Sequence, residues 1–309
     1  MGRGDAKYVG REVGEHLASK TPPGSFYTDE TIFRKELEEF YDRSWMNLGR
    51  EDEIARPGDF FTREIGGESV IVVRGTDGIA RAFYNVCRHR GTRLVEEPAG
   101  SKLRSIVCPY HGWTYSPEGR LVGAPHTESL VDFQKEESSL YGIRLEPWGG
   151  FVWANLDAQA APLQDELGAF FAKFDRYSSM TWTGYTKRPL LEGMTDDDRR
   201  RVYYYTVFPN LFFSLHPDFL MVHRTWPVTP THSRVECDFF FDPATMARPD
   251  FDASDAVDLW DLINRQDWAV CQRSQKGMGS RVWKGGRYSD QEPQVYDFDR
   301  YVMERLGMS

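Results

Sequence analysis

Two cysteines and two histidines of this sequence stand in a pattern that can do redox chemistry. Cys87-x-His89 opens it, and Cys108-x-x-His111 follows with 18 residues between the pairs. Two of the four cysteines and two of the seven histidines thus fall in two short turns. Two thiolates and two imidazoles can complete a [2Fe-2S] cluster in which one iron has sulfur ligands and the other nitrogen ligands. A structural zinc also takes two Cys and two His, but usually as a Cys pair followed by a His pair. A Cys87–Cys108 disulfide would leave the two histidines without a purpose. Gly91, Pro109 and Gly112 allow tight loops that aim backbone N–H groups inward, where they stabilise reduced sulfur.

A second chemical group lies far along the chain. On a helix expected from about Ala253 to Gly277, Val257, Trp260, Asn264, Asp267 and Cys271 recur at spacings of three and four and share one stripe. A carboxylate in a buried stripe is costly unless paired, hydrogen-bonded or metal-bound. Ile263, Asn264, Val270 and Cys271 stand three and four positions from Asp267, and none is basic. Asp267 is therefore a candidate metal ligand, beside the alternative that an Arg or a backbone N–H from another element meets it.

The elements that must position these groups follow from the patterning. Tyr27 to Arg43 reads as a helix with Thr28 as its cap and Phe33, Leu37, Phe40 and Tyr41 on one face. Short strands with turn punctuation follow: Asp59 to Ile65, Ser69 to Arg74 and Ile79 to Val86, the last running into Cys87. Leu103 to Val107 delivers Cys108 in the same way, and Tyr141 to Pro147 and Phe151 to Leu156 form a further hairpin around Gly149-Gly150. Residues 45–160 are thus expected to form an antiparallel β domain with the chemistry at loop tips, preceded by an arm over residues 1–44. Leu163 to Tyr177 reads as a helix. Arg201 to Phe208, Phe219 to Val228 and Ser233 to Asp242 read as strands, and the long helix is capped by Asp252 or Ser254 and ended by Gly277 or Gly279. Strands packed by a long helix make residues 161–309 an α+β domain. Cys237 falls at strand spacing with Val235 and Phe239, as a small core residue does.

Composition excludes several classes. A formal charge of −9 gives no electrostatic footprint for nucleic acid. The one basic run, Arg199-Arg200-Arg201, follows Asp196-Asp197-Asp198 and reads as a solvated turn. The first twenty residues hold no apolar core of a signal peptide, and no stretch approaches 18 apolar residues, so a soluble, cytoplasmic protein is expected. Four cysteines in 309 residues do not make a disulfide framework.

Cys87-Arg88-His89-Arg90-Gly91 with Cys108-Pro109-Tyr110-His111-Gly112-Trp113 resembles the α subunits of Rieske non-haem iron oxygenases, the aromatic ring-hydroxylating dioxygenase family. The resemblance is nearest to branches that include quaternary-amine monooxygenases and demethylases. It implies a Rieske β-sandwich followed by a helix-grip catalytic domain, a curved antiparallel sheet with a long helix. Cys87, His89, Cys108 and His111 become the Rieske cluster ligands. Arg265-Gln266-Asp267-Trp268 resembles the stretch carrying the carboxylate ligand of the mononuclear Fe(II), which makes Asp267 one arm of a two-His-one-carboxylate triad. The resemblance further implies a separate reductase or ferredoxin as electron donor, O2 and a small organic substrate, a quaternary amine or an aromatic, and a homotrimer.

One departure stands out. The family carries its two iron histidines on a helix as His-x4-His, and no two histidines here are five apart; they stand at 16, 89, 111, 126, 216, 223 and 232. His216 and His223 are seven apart in a region from Phe212 to Trp226 that reads as strand, which would aim them at opposite faces. By Thr186-Lys187-Arg188-Pro189 the sequence already resembles segments that follow the iron-histidine region, so a segment is expected to be missing near residues 177–181. Read literally, the sequence also fits a Rieske electron carrier without oxygenase activity of its own, and a zinc-stabilised binding protein is a third reading.

Overall fold

The computed structural model describes residues 20–127, 129–174, 188, 191, 198, 201–289 and 292–308. The chain divides into two compact units, one over residues 40–227 and 233–252 and one over residues 1–39, 228–232 and 253–309.

The larger unit holds three sheets. Strands β1 (Met46–Arg50), β2 (Phe60–Ile65), β3 (Glu68–Arg74), β4 (Ala80–Tyr84), β5 (Ala99–Gly100), β9 (Gly142–Trp148) and β10 (Phe151–Asn155) form a seven-stranded sheet in the order β1-β10-β9-β4-β3-β2-β5. Strands β6 (Ile106–Val107), β7 (Thr114–Tyr115) and β8 (Leu121–Gly123) make a small three-stranded sheet. All the pairings that set their registers are antiparallel. The core between these sheets gathers Ile71, Val73, Phe83, Ile106, Trp113, Tyr115 and Leu121 around Cys87 and Cys108. A second core, with Met46, Leu48, Phe61, Val70, Val72 and Val152, fills the other side. Alternation along β3 sends Val70 and Val72 to one core and Ile71 and Val73 to the other, which is why its middle reads as an unbroken apolar run. Each such buried aliphatic side chain contributes about 1.5–3 kcal/mol.

Helix α2 (Leu163–Phe174) then leads away, its first N–H group held at 3.0 Å by the Glu146 carboxylate. The four-stranded sheet runs β11 (Tyr203–Val207), β12 (Leu211–Leu215), β13 (Leu220–Thr229) and β14 (His232–Phe240) in sequence order. Leu211, Phe213, Leu215 and Val222 of this sheet pack in one core with Trp45, Phe151 and Trp153. The short helix α3 (Pro243–Met246) is capped by the Asp242 carboxylate on the Thr245 N–H.

The strand expected from Phe212 to Trp226 is two strands. The His216 N–H donates to Phe219 C=O at 2.9 Å and turns the chain over Pro217-Asp218. Leu211–Leu215 is a short apolar run, a pattern that periodicity alone does not assign. Asp198, placed by composition in a solvated turn, is buried and accepts from the Tyr203 hydroxyl; its acidic and basic neighbours, like the expected break near 177–181, lie outside the described residues. Cys237 is half-buried on β14.

In the smaller unit the expected helix from Tyr27 to Arg43 is shorter. Helix α1 spans Glu30–Glu36 and passes into a π-type turn over Leu37–Tyr41. Its cap is Asp29, whose carboxylate accepts from Thr31 and Ile32 N–H, because the Thr28 hydroxyl is engaged by Gly24 C=O at 3.1 Å. Helix α4 (Ser254–Met278) begins at Ala253 with no side-chain cap, where Asp252 or Ser254 was expected, and ends at Gly279 as expected. The Gln275 amide of α4 donates to Tyr27 C=O at 2.8 Å. Helix α5 (Pro293–Arg305), unmarked by any sequence motif, carries Arg305 to the Glu39 carboxylate at 2.9 Å. Among the described residues no helix is long and apolar enough to cross a membrane.

Candidate metal centre

The two ligand pairs sit in loops built on one backbone plan. In the first, the Cys87 N–H donates to Thr92 C=O and the Gly91 N–H returns to Cys87 C=O, at 2.8 and 3.0 Å. In the second, the Cys108 N–H donates to Trp113 C=O and the Gly112 N–H returns to Cys108 C=O, at 2.7 and 3.1 Å. Both loops close by the same i to i+5 and i+4 bonds, and each closing residue is a glycine with positive φ, 73° at Gly91 and 71° at Gly112. That left-handed conformation costs a side-chain-bearing residue about 1–2 kcal/mol. The Cys-x-His and Cys-x-x-His spacings are therefore two placements of histidine within one loop form.

The loops place the two ligand types differently. Cys87 and Cys108 are each 3% exposed within the core, whereas His89 and His111 are exposed at the surface. The imidazole rings lie together, with centroids 4.7 Å apart. Each rests on an aromatic neighbour: His89 stacks on Trp113 at 4.9 Å and 11°, and His111 lies 3.7 Å from the Tyr110 ring. Among the described residues no three of His, Cys, Asp and Glu converge on a point that could hold a single ion. A tetrahedral zinc needs all four ligands about 2.0–2.3 Å from one centre. A buried thiol pair and an exposed imidazole pair instead match a two-iron cluster with sulfur on one side and nitrogen on the other.

Hydrogen bonds hold this arrangement. Tyr115 Oη accepts from the Arg88 N–H at 3.0 Å and lies 3.3 Å from Cys87 Sγ, within hydrogen-bond distance of the sulfur. Burial pushes the Tyr115 phenol up and the bond to Cys87 adds to it, so the phenol stays a donor. Burial likewise raises the Cys87 thiol, opposed by Tyr115 and by a backbone bond at His89. Slight desolvation, with the charges of His111 and Arg90 nearby, lowers His89 and so favours the neutral imidazole that metal binding needs. Asn85 Oδ1 accepts from Leu94 and Val95 N–H at 3.0 and 2.9 Å, while its Nδ2 donates to Val95 C=O at 2.6 Å. Arg88 anchors the first loop to Ser139 and Glu137 carbonyls at 2.6 and 3.1 Å, with its guanidinium 3.9 Å over the Tyr141 ring. Sequence reading missed Tyr115 and Asn85; their only signal was a place at the strand ends flanking each ligand loop.

Asp267 behaves otherwise. It lies on α4, in the other unit, and is exposed. The stripe that was expected to bury it does not form: Val257 and Cys271 are also exposed, Trp260 is half-buried, and Asn264 alone is buried. The covered part of that face runs from Ala256 through half-buried Trp260 to Asn264; Asp267 lies on the same side, less than one turn beyond Asn264, where the helix is exposed. His216 is half-buried and stacked on Phe219 at 4.1 Å and 9°, and burial pushes it down to about 4.

A buried thiol pair, an exposed imidazole pair and paired loops on antiparallel sheets define a Rieske-type iron–sulfur protein. The model for the Rieske [2Fe-2S] domain matches residues 44–134, and that for the ring hydroxylating alpha subunit (catalytic domain) matches residues 126–308, more than half of the chain. The chain belongs to the ring-hydroxylating α-subunit family of Rieske non-haem iron oxygenases, whose cofactors are a Rieske cluster and a mononuclear iron. The carnitine monooxygenase oxygenase subunit of Escherichia coli (strain K12) is 40% identical over 153 residues, which are 50% of this chain and 41% of that protein. The benzene 1,2-dioxygenase subunit alpha of Pseudomonas putida is 42% identical over 149 residues, 48% of this chain and 32% of that one. The matched region thus spans less than half the length of these curated relatives. The crystal structure of the apo form of the quaternary ammonium Rieske monooxygenase CntA superposes with a TM-score of 0.75 at 25% identity, over 93% of this chain and 95% of that one.

Proposed function

We propose that the chain is the terminal oxygenase component of a Rieske-type system, with residues 45–160 as its Rieske domain and residues 161–309 as its catalytic domain. Cys87, His89, Cys108 and His111 are the cluster ligands in this reading. The observation that carries it is the separation of a buried thiol pair from an exposed imidazole pair on two loops of one form. When bound, the cluster supplies one-electron transfer, made easier to reduce by imidazoles in place of two thiolates. The chain's own residues do the rest. With Cys87 as a thiolate, the Tyr115 hydroxyl 3.3 Å from Cys87 Sγ would donate to it and favour a reduced cluster. Trp113 and Tyr110 hold the two rings at the surface, the side from which a donor gains access. Asp267 is the carboxylate that a mononuclear iron would use, a role that depends on two imidazoles being brought to it.

The electron donor is a separate reductase or ferredoxin, and the assembly is a homotrimer in this reading. Two relatives of this fold, a carnitine monooxygenase subunit and a quaternary ammonium monooxygenase, support a small quaternary amine as substrate ahead of an aromatic hydrocarbon. The test is the purified protein with an NADH-driven reductase. The cluster bleaches on reduction, and, where a mononuclear iron is bound, oxygen uptake rises with carnitine or γ-butyrobetaine and not with benzene. A colourless protein, or one containing zinc without labile sulfide, contradicts the reading. A second reading, a Rieske electron carrier, is favoured by the histidine inventory alone; it predicts bleaching without substrate-dependent oxygen uptake.

A further inference from the structure

The mononuclear iron can be tested against the residues that this chain offers. A non-haem iron of this type takes two imidazoles and one carboxylate on one face and leaves its other positions open. Of seven histidines, His89 and His111 belong to the cluster loops, and His16 lies outside the described residues. His126 is exposed beside the second cluster loop, with a positive φ of 64°. His232 is exposed in the turn from β13 to β14, where its Nδ1 lies 2.9 Å from the Thr231 hydroxyl. Residues 175–200, most of which are not described, contain neither His nor Cys.

His216 and His223 are left, and the sheet keeps them apart. Leu215 pairs with Leu220 and Phe212 with His223, so His216 and His223 are four strand positions apart. At about 3.3 Å per residue that is about 13 Å along the strands. Side chains standing parallel on a sheet at that separation cannot both reach one ion through bonds of about 2 Å. The His216 ring is instead stacked on Phe219. Asp267, exposed on α4, offers one carboxylate.

We infer that the described residues of this chain assemble one redox centre, the two-iron cluster, and form no site for a mononuclear iron. The inference rests on the Rieske reading above and sharpens it. Electron acceptance needs only the cluster loops, whereas oxygen activation needs two imidazoles beside a carboxylate, which the described residues do not bring together.

The experiment uses the purified full chain, incubated anaerobically with excess Fe(II) and desalted. Iron and acid-labile sulfide are measured per chain, and an electron paramagnetic resonance spectrum is recorded after addition of nitric oxide, which occupies the open positions of mononuclear Fe(II). Two irons and two sulfides per chain, with no S = 3/2 nitrosyl signal, are expected. A third iron with that signal overturns the inference, whether Asp267→Ala removes it or not. Absence of labile sulfide overturns the Rieske reading itself, and the inference with it. The two failures are therefore separate: the first leaves the sulfide in place, the second does not.

Discussion

The cluster loops and the region of Asp267 differ in how their chemistry is assembled. In the loops every ligand lies within three residues of another, and local hydrogen bonds at Gly91 and Gly112 set the geometry before any distant packing is needed. Asp267 has no such neighbour. It stands exposed on α4 in the smaller unit, and within the larger unit His216 stacks on Phe219 and His223 pairs with Phe212. A site written into one short loop is set by near neighbours; a site gathered from several elements depends on distant packing.

The comparison breaks most visibly through the ligands. His111→Ala abolishes visible cluster absorption and labile sulfide, because the cluster loses one of its four protein bonds, while Asp267→Ala leaves iron and sulfide unchanged. An Asp267→Ala protein that loses iron would end the contrast.

Within the larger unit, stability resides in a buried ion pair. Arg188 and Asp218 are each 4% exposed and 3.1 Å apart, and the Arg188 guanidinium also donates to Asp252 C=O at 2.6 Å. Arg188→Met leaves Asp218 charged and buried, and a loss of about 3–5 kcal/mol is expected from urea unfolding. A change below about 1 kcal/mol would show that Asp218 finds water or another donor.

Asn85→Ala tests how far the first loop depends on one amide. The Leu94 and Val95 N–H groups lose their buried acceptor, at about 1–3 kcal/mol for a group left unpaired. The same urea transition measures it, together with a faster loss of sulfide on storage. An unchanged protein would mean that the glycine closures suffice.

The smallest effect is a pH dependence in the smaller unit. Burial raises Glu36 from its ordinary 4.5 to about 7. Between those values the folded chain holds a proton that the unfolded chain has released, so this group's contribution to stability falls as pH rises from about 4.5 to about 7. In Glu36→Gln the thermal midpoint varies less across that window; an identical profile would place the dependence in other groups.

Much of the cluster site was legible in the sequence. The loops carrying Cys87, His89, Cys108 and His111 and the glycines that close them depend on near neighbours, so the spacing of those residues made the paired loops readable. The strands ending at Cys87 and Cys108 were visible from alternation, as were β9, β10 and the ends of α4. Tyr115 and Asn85 were not, because their roles depend on where Cys87, Leu94 and Val95 lie in space. The stripe on α4 failed for a related reason. Periodicity shows which residues share a face, and packing decides how far along the helix that face is covered; here Ala256 and Asn264 are buried and Asp267, farther along the same side, is not. The turn at Pro217-Asp218 was hidden because an apolar run continues on both sides of it. Helix α5 had no motif to announce it, and its apolar residues Val295, Phe298 and Tyr301 remain exposed.

The central claim is that two thiolates hold one iron of a cluster and that His89 and His111 hold the other. Hyperfine spectroscopy of the reduced protein, labelled with nitrogen-15 in histidine only, tests it directly. Two labelled nitrogens coupled to the paramagnetic cluster are predicted, with one lost in His89→Ala or His111→Ala wherever a cluster survives. No histidine coupling in a protein that contains iron and sulfide would contradict it.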